Sequence, residues 1–384
     1  SMRKEGLCEP QPRDNWGNPM SGIGYSTSDG EWVFPTMPIT DKFWPKLAPL
    51  VGLPVDDERF DTHEKRCGEN RIALMRELEK RIGEKPASHW KEMMKEAGLL
   101  YNFIGSYADA MGDQLLWDNR YLISAPDESG NDQATLGFPL TMSKTPASLT
   151  CKPPDRDEHT HEFSSEPLSD DDLSKRSAAA LKTPDSARGA LEGVRVIDLS
   201  VWLQGPTAAQ LLADAGAEVL HIENSLTGGD YARGVKSMGV FPMGDWNYYF
   251  GVVNRGKKSV ALDLTQPEAQ EVIYRLVKKA DVFLTNQLPR VLAKLNLSYE
   301  KLREINPKLV FATNTGYGLV GGVETPAYDM TLQALTGIMK RLGEPGQPPI
   351  YLGLGSGDTF GGLMCAWGIV AGLRHARQTG EGQH

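Results

Sequence analysis

Apolar runs of strand length alternate with amphipathic, helix-length segments through the second half of this 384-residue chain, and no other feature narrows the available folds as far. Residues 194–199 read as a buried strand, 207–215 as a helix and 218–223 as a second strand. Residues 281–284 and 309–312 repeat the strand pattern, with helices at 267–279 and 299–305 leading into them. Strands alternating with helices imply parallel pairing, because each helix carries the chain back to the edge at which the next strand begins. The expected fold class is α/β: a doubly wound, mostly parallel Rossmann-like sheet with a smaller α+β domain. Ligands of such a sheet collect beyond the carboxyl ends of the strands, which selects residues 200–206, 224–230, 286–290 and 314–318. Each stretch mixes Gly or Pro with polar side chains, a composition that serves turn chemistry as well as phosphate and amide binding.

The smaller domain is expected ahead of residue 155. Residues 24–34 read as a hairpin turning at Asp29-Gly30, and residues 71–82 and 87–97 as amphipathic helices. From 155 to 192, Pro, Ser, Asp and Lys displace aromatic and aliphatic residues, the signature of a linker. The formal net charge of -9 argues against a nucleic-acid or anionic-membrane partner. Cys8, Cys67, Cys151 and Cys365 are scattered, with no CxxC pair or metal spacing, which fits free thiols in a reducing cytoplasm. No signal peptide and no apolar run of membrane-spanning length is visible, so a cytoplasmic location is expected.

Two segments carry chemistry. Asp358 lies among small residues in Gly353-Leu354-Gly355-Ser356-Gly357-Asp358-Thr359-Phe360-Gly361-Gly362, followed by an apolar stretch. A carboxylate so placed suits a nucleophile that a large cofactor and a substrate must both approach, and equally the N-cap of a helix over residues 359–373. Asn254-Arg255-Gly256-Lys257-Lys258 places three cations around a glycine and leads into a strand, an arrangement that suits a polyphosphate as well as a solvated basic turn. GxGxxG and Walker A sequences are absent, which disfavours a dinucleotide or nucleoside triphosphate site.

The motifs Gly205-Pro206, Asn254 through Leu264, Gly316-Tyr317-Gly318, Tyr328-Asp329-x-x-x-Gln333-Ala334-x-x-Gly337, Gly357-Asp358-x-x-x-Gly362 and Thr379-Gly380-x-Gly382-Gln383 together resemble the first half of a class III (CaiB/BaiF-type) CoA-transferase, in the family's order. Asp29-Gly30-Glu31-Trp32-Val33, Arg59-Phe60-x-Thr62, Arg66-x-x-x-Asn70-Arg71, Gly137-Phe138-Pro139-Leu140 and Glu158-His159-Thr160 resemble its second half. The order is therefore back half, linker, front half: residues 1–154 from a first copy, 155–192 between, and 193–384 from a second. Either a circular permutation or a window across a tandem fusion accounts for it; the fusion is the simpler, and it implies a first nucleophile before residue 1 and a small domain after His384.

The resemblance implies a CoA-transferase with coenzyme A or acetyl-CoA as co-substrate, no metal, a small-molecule carboxylate as acceptor, and a homodimer or intramolecular pairing of tandem copies. Asp358 becomes the nucleophile, and Gly361 and Gly362 the source of backbone N–H groups for the oxyanion. Trp202, Gln204, Arg255, Lys257, Asn286, Lys294 and Tyr317 match positions expected to contact the CoA. Asn224, Gln287 and Thr315 depart from the family's arginine, phenylalanine and lysine. The family's tandem fusions act on acids that include dimethylsulfoniopropionate; Trp202, Trp246, Tyr248 and Tyr249 offer aromatic faces for a sulfonium, at about 0.5–2 kcal/mol per contact, though each also suits a core. Elimination of dimethyl sulfide needs a base, for which Asp230, Glu223 and Asp245 are candidates. A carnitine-like betaine or a dicarboxylate is the alternative acceptor, and a non-catalytic CoA-binding or assembly half-domain the alternative role. Ala327-Tyr328-Asp329 lacks the histidine of the related racemases, which disfavours racemisation, and His159-Thr160-His161 has no partner cluster to make a metal site.

Overall fold

The computed structural model describes residues 12–15, 17–126, 132–147, 149, 152–164, 189–235, 237–238, 241–242, 247–320 and 325–384. These divide into two compact units, Ser1–Asp113 with Gly337–Ile350, and Gln114–Thr336 with Tyr351–His384. The first unit is thus bounded at Asp113, whereas residues 114–154 cluster with the second.

In the first unit, Tyr25–Ser26, Trp32–Pro35 and Tyr101–Phe103 form an antiparallel sheet in that order. The expected turn is present: Gly30 has φ +83°, a conformation that only glycine adopts without strain. Asp29 accepts the Ala87 N–H at 3.1 Å, so the same turn caps the helix Ala87–Glu96. Trp44, Phe60, Leu74, Leu78, Ile82, Trp90 and Met94 close the core beneath it.

The second unit is α/β. Its main sheet holds β1 (Arg195–Leu199), β2 (Glu218–Asn224), β3 (Lys258–Leu262), β4 (Val282–Thr285) and β5 (Val310–Thr313). All pairings are parallel, in the order 3-2-1-4-5. Side-chain alternation divides the strands between two cores. Val196, Val219, Val282, Leu284 and Val310 pack against the helices Gln204–Asp214 and Ser356–Thr379. Ile197, Leu199, Leu220, Ile222, Val260, Leu262 and Phe283 point the other way, onto Pro267–Val277 and Tyr299–Ile305.

Part of the segment read as linker is folded. Residues 157–160 run along β3, where the His159 N–H donates to the Ser259 carbonyl at 3.0 Å and the Ala261 N–H to Thr160 Oγ1 at 2.8 Å. The edge of the sheet is thereby covered. His159 Nδ1 accepts the Ser259 N–H at 3.3 Å, which ties this residue to the strand. Residues 165–188 of that stretch lie outside the described residues.

The Ser356–Thr379 helix begins three residues earlier than its apolar run suggests, with Gly355 as its N-cap at φ +76°. Glycines bring it close to its neighbours. A methyl group at Gly362 would lie 2.8 Å from Thr207 Cβ and 2.9 Å from the Gln204 carbonyl oxygen, and one at Gly372 would lie 2.8 Å from Val310 Cγ1. Gly368, on the same helix, faces open space. Gly362→Ala is therefore expected to lose about 1–3 kcal/mol to overpacking despite better helix propensity. Gly368→Ala gains up to about 1 kcal/mol from that propensity. Urea unfolding of the two variants beside the wild type checks the contrast.

Candidate active site

A cavity of about 520 Å3 opens beyond the carboxyl ends of β1, β4 and β5. It sits where the strand order reverses between β1 and β4, the place at which adjacent loops diverge and leave a crevice. Trp202, Gln204, Asn286, Tyr317 and Asp358 all line it, so five of the residues singled out in the sequence meet in one place. Arg290 and Asn314, within the loops selected from topology, line it too, and so do Tyr231 and Tyr328, to which no site role was assigned.

Asp358 does not cap its helix. It is the third helical residue, and among the described residues no hydrogen bond reaches its carboxylate. The capping acceptor is Asp329, whose Oδ2 accepts the Gly355 N–H at 2.9 Å and whose Oδ1 accepts the Gly357 N–H at 2.7 Å. Gln333, one turn along the helix Asp329–Leu335, donates to Asp329 Oδ2 at 2.8 Å and accepts the Leu352 N–H at 2.8 Å. The spacing Asp329-x-x-x-Gln333 held this signal, since residues four apart share a helix face. Burial, reinforced by the charge of Asp329, pushes the Asp358 carboxyl up to about 6. Tyr249 lies in the same field: burial, then Asp358, Asp230 and Asp329, push its hydroxyl up to about 12, so it remains a neutral donor.

Gly361 and Gly362 lie inside the helix Ser356–Thr379 and not at its open N-terminus. They lie beyond the first turn of the helix, where backbone N–H groups are taken by intrahelical bonds, and their lack of side chains admits Gln204 and Thr207. The basic loop is also turned to another use. Lys257 Nζ is fully buried, donating to Asp198 Oδ2 at 2.9 Å, Asn254 Oδ1 at 2.8 Å and the Pro206 carbonyl at 3.0 Å. Arg255 pairs with Asp214 at 2.9 Å and donates to the Leu136 carbonyl. Neither cation faces the cavity, so neither is placed to meet a phosphate. Lys294 ends the short helix Pro289–Lys294 on an exposed face away from the cavity wall. Asn286 is on the wall, but its amide is engaged with Val201, accepting that residue's N–H at 3.1 Å and donating to its carbonyl at 2.7 Å.

The aromatic residues separate in the same way. Trp202 adopts a left-handed backbone, φ +71°, and stacks on Tyr231 with centroids 5.8 Å apart and planes 19° apart; Tyr328 meets it edge-on at 6.4 Å. Tyr248 donates to Gln133 Oε1 at 3.2 Å and is not on the cavity wall. Trp246 and Asp245 lie outside the described residues.

Of the remaining base candidates, Glu223 is saturated. Arg233 binds both of its oxygens, at 2.8 and 2.7 Å, and Ser259 Oγ donates at 2.6 Å. Burial raises its proton affinity, but these donors and the His221 charge outweigh it and bring its carboxyl down to about 2. Asp230 is also buried; its Oδ2 lies 3.5 Å from His221 Nε2, and His221 Nδ1 contacts Asp198 Oδ2 at 3.0 Å. Burial alone would deprotonate His221, yet Asp198 and Asp230 override it and lift the imidazole to about 9. Among the described residues no cluster of three metal-ligating side chains occurs, and no helix is long and apolar enough to cross a membrane.

Residues 4–160 and 191–384 match the family described as CoA-transferase family III. The chain belongs to that family. Among curated members, the succinate–glutarate CoA-transferase of Agrobacterium fabrum is 41% identical over 198 residues, covering 50% of this chain and 49% of that protein. The acetyl-CoA:oxalate CoA-transferase of Acetobacter aceti is 38% identical over 204 residues, covering 53% and 51%. A crystal structure of a CaiB/BaiF family protein from Brucella suis aligns with a TM-score of 0.47 at 35% identity, over 51% of this chain and 52% of that one. The chain spans about half the length of the curated CoA-transferases it matches.

Removing the charge of Asp329 while keeping an acceptor oxygen, as in Asp329→Asn, is expected to lower the Asp358 carboxyl from its value near 6 toward the usual carboxylate range. Carbon-13 NMR titration of aspartate-labelled protein, assigned with Asp358→Asn, reads the shift directly.

Proposed function

We propose that this chain carries the nucleophile of a class III CoA-transferase, Asp358, and that the acid it activates is dimethylsulfoniopropionate, with subsequent loss of dimethyl sulfide. The observation that carries the reading is an uncapped carboxylate of raised proton affinity on the wall of a cavity large enough for a thioester and a small acid. Asp358 attacks the thioester carbonyl of the acyl-CoA donor; the carbon–sulfur bond breaks, and CoA thiolate leaves behind a mixed anhydride. The thiolate then attacks the aspartyl carbonyl, expelling the donor carboxylate and forming an aspartyl-CoA thioester. The acceptor carboxylate attacks that thioester in turn, and the returning thiolate releases the new acyl-CoA with Asp358 regenerated.

Trp202, Gln204, Asn286 and Tyr317 form the loop wall against which the CoA lies in this reading, with Trp202 also serving the acceptor. The stacked Trp202 and Tyr231, with Tyr328 edge-on, supply aromatic faces for a sulfonium that donates no hydrogen bond. Once the acid is a thioester, the proton next to its carbonyl is acidified; its transfer to a general base or water breaks the neighbouring carbon–sulfur bond, dimethyl sulfide leaves with the electron pair, and an unsaturated three-carbon CoA thioester remains. A dicarboxylate acceptor is the second reading. Arg290 on the same wall favours it, and the names of the Agrobacterium and Acetobacter relatives specify succinate, glutarate and oxalate.

We read the 3-2-1-4-5 sheet as the doubly wound, Rossmann-like large domain of a second family copy, and the antiparallel unit as the small α+β domain of a first, joined in a tandem fusion. That the family matches in two separate stretches, residues 4–160 and 191–384, supports a division into two copies. The copies then pair within one chain or across a homodimer in the cytoplasm.

Incubation with labelled acetyl-CoA and acceptor acid is expected to leave an acyl or CoA adduct on the peptide containing Asp358, absent in Asp358→Ala. A wild type without adduct, or a variant with the same adduct, sinks the nucleophile assignment. Adduct formation is expected to fall about tenfold per pH unit below a value near 6, as the carboxylate takes up its proton. Headspace gas chromatography separates the acceptors: dimethyl sulfide released from dimethylsulfoniopropionate supports the first, and turnover of succinate or oxalate without volatile sulfide supports the second.

A further inference from the structure

We propose that Asp230 is a positioning residue, whose carboxylate holds the Trp202–Tyr231 wall of the cavity in shape and so sets the cavity's affinity for acyl-CoA. This rests on the functional reading above, and it takes Asp230 out of the role of eliminating base. The residue is 2% exposed, which keeps its carboxylate from a substrate proton. Its Oδ1 accepts two backbone N–H groups, that of Trp202 at 3.3 Å and that of Ala232 at 2.9 Å. The first holds Trp202 at the left-handed φ of +71°, a conformation unfavourable for a bulky L-residue unless its surroundings enforce it. The second caps the short turn Tyr231–Gly234 and so directs Tyr231, the next residue in the chain, against the indole. One oxygen thereby fixes both partners of the stack.

The carboxylate is itself fixed from behind. Its own N–H donates to Glu223 Oε2 at 2.8 Å, and its Oδ2 faces His221. On the far side of the imidazole, Asp198 is held by Lys257 and by the hydroxyl of Ser200, two residues before Trp202. Asn286 grips Val201 from the opposite strand loop. The strained peptide at Trp202 is thus clamped on both sides, and among its clamps Asp230 alone also orders the second ring.

Incorporation of 5-fluorotryptophan, with the Trp202 resonance assigned by Trp202→Phe, reports the ring by fluorine NMR without reference to activity. In Asp230→Ala the resonance is expected to move toward its solvent-exposed position, and the dissociation constant for acetyl-CoA, by calorimetry, to rise about tenfold. Asp230→Asn, which keeps an oxygen for both N–H groups, is expected to leave the resonance in place and the affinity within about threefold. An alanine variant that retains resonance and affinity, or an asparagine variant that loses both, overturns the proposal. Hydrogen exchange in the wild type tests it without a mutation: the Trp202 and Ala232 amides are expected to exchange slowly, and a Trp202 amide that exchanges as fast as an exposed one also overturns it. Failure of the wild type to bind acetyl-CoA counts against the functional reading alone, because the fluorine and exchange results still decide the placement of Asp230.

Discussion

A buried ionic network that joins β1 and β2 to the residue ahead of β3 is the constraint from which the site follows. Asp198, Asp230 and Glu223 oppose Lys257, His221 and Arg233, so three negative groups meet three positive ones, all but Arg233 wholly buried. An unpaired charge there would cost several kcal/mol, and the network is tolerable because nearly every oxygen finds a donor. Asp198 shows the balance: burial favours its protonated form, and Lys257 and His221 together hold it ionised well below the usual carboxylate range. Because the members come from β1, from β2 and the segment that follows it, and from the residue just ahead of β3, pairing the charges also fixes where Ser200, Trp202 and Tyr231 emerge.

A second division of labour concerns the glycine-rich turn before the Ser356–Thr379 helix. A helix start needs an acceptor for its free N–H groups. Asp329 supplies it from another helix, with Gln333 as buttress, and this leaves Asp358 without a structural duty. The like charge of Asp329 then acts on Asp358 at close range and, with burial, keeps its carboxyl near 6. Gly361 and Gly362 contribute by absence, letting the helix approach Gln204 and Thr207 closely enough to bring Asp358 to the cavity.

Much of this was legible in the linear pattern. Four strands of the main sheet fall within a residue of their expected bounds, and β3 follows the basic loop as expected, because β-branched and aromatic runs bounded by turn residues have few alternatives. Helix 299–305 matches its expected ends, and Asp29-Gly30 makes the expected turn. The loops after β1, β4 and β5 were identified as ligand-facing from topology alone, and Trp202, Gln204, Asn286 and Tyr317 lie on the cavity wall. Lys257 and Arg255 went the other way. Three cations beside a glycine look like a phosphate loop in one dimension, and only Asp198 and Asp214, 59 and 41 residues away, turn two of them inward.

What the sequence determined by itself is local: which segments are strand or helix, which loops end strands, and which residue types those loops carry. Those properties depend on neighbours within a turn or a strand pair, so periodicity and composition carry them. The tertiary structure decided the roles. Whether a carboxylate caps a helix or faces a cavity, as with Asp329 and Asp358, and whether a cation meets solvent or a buried partner, as with Lys257, depends on groups brought together from distant parts of the chain. Their mutual fields and desolvation exist only once the strands are packed.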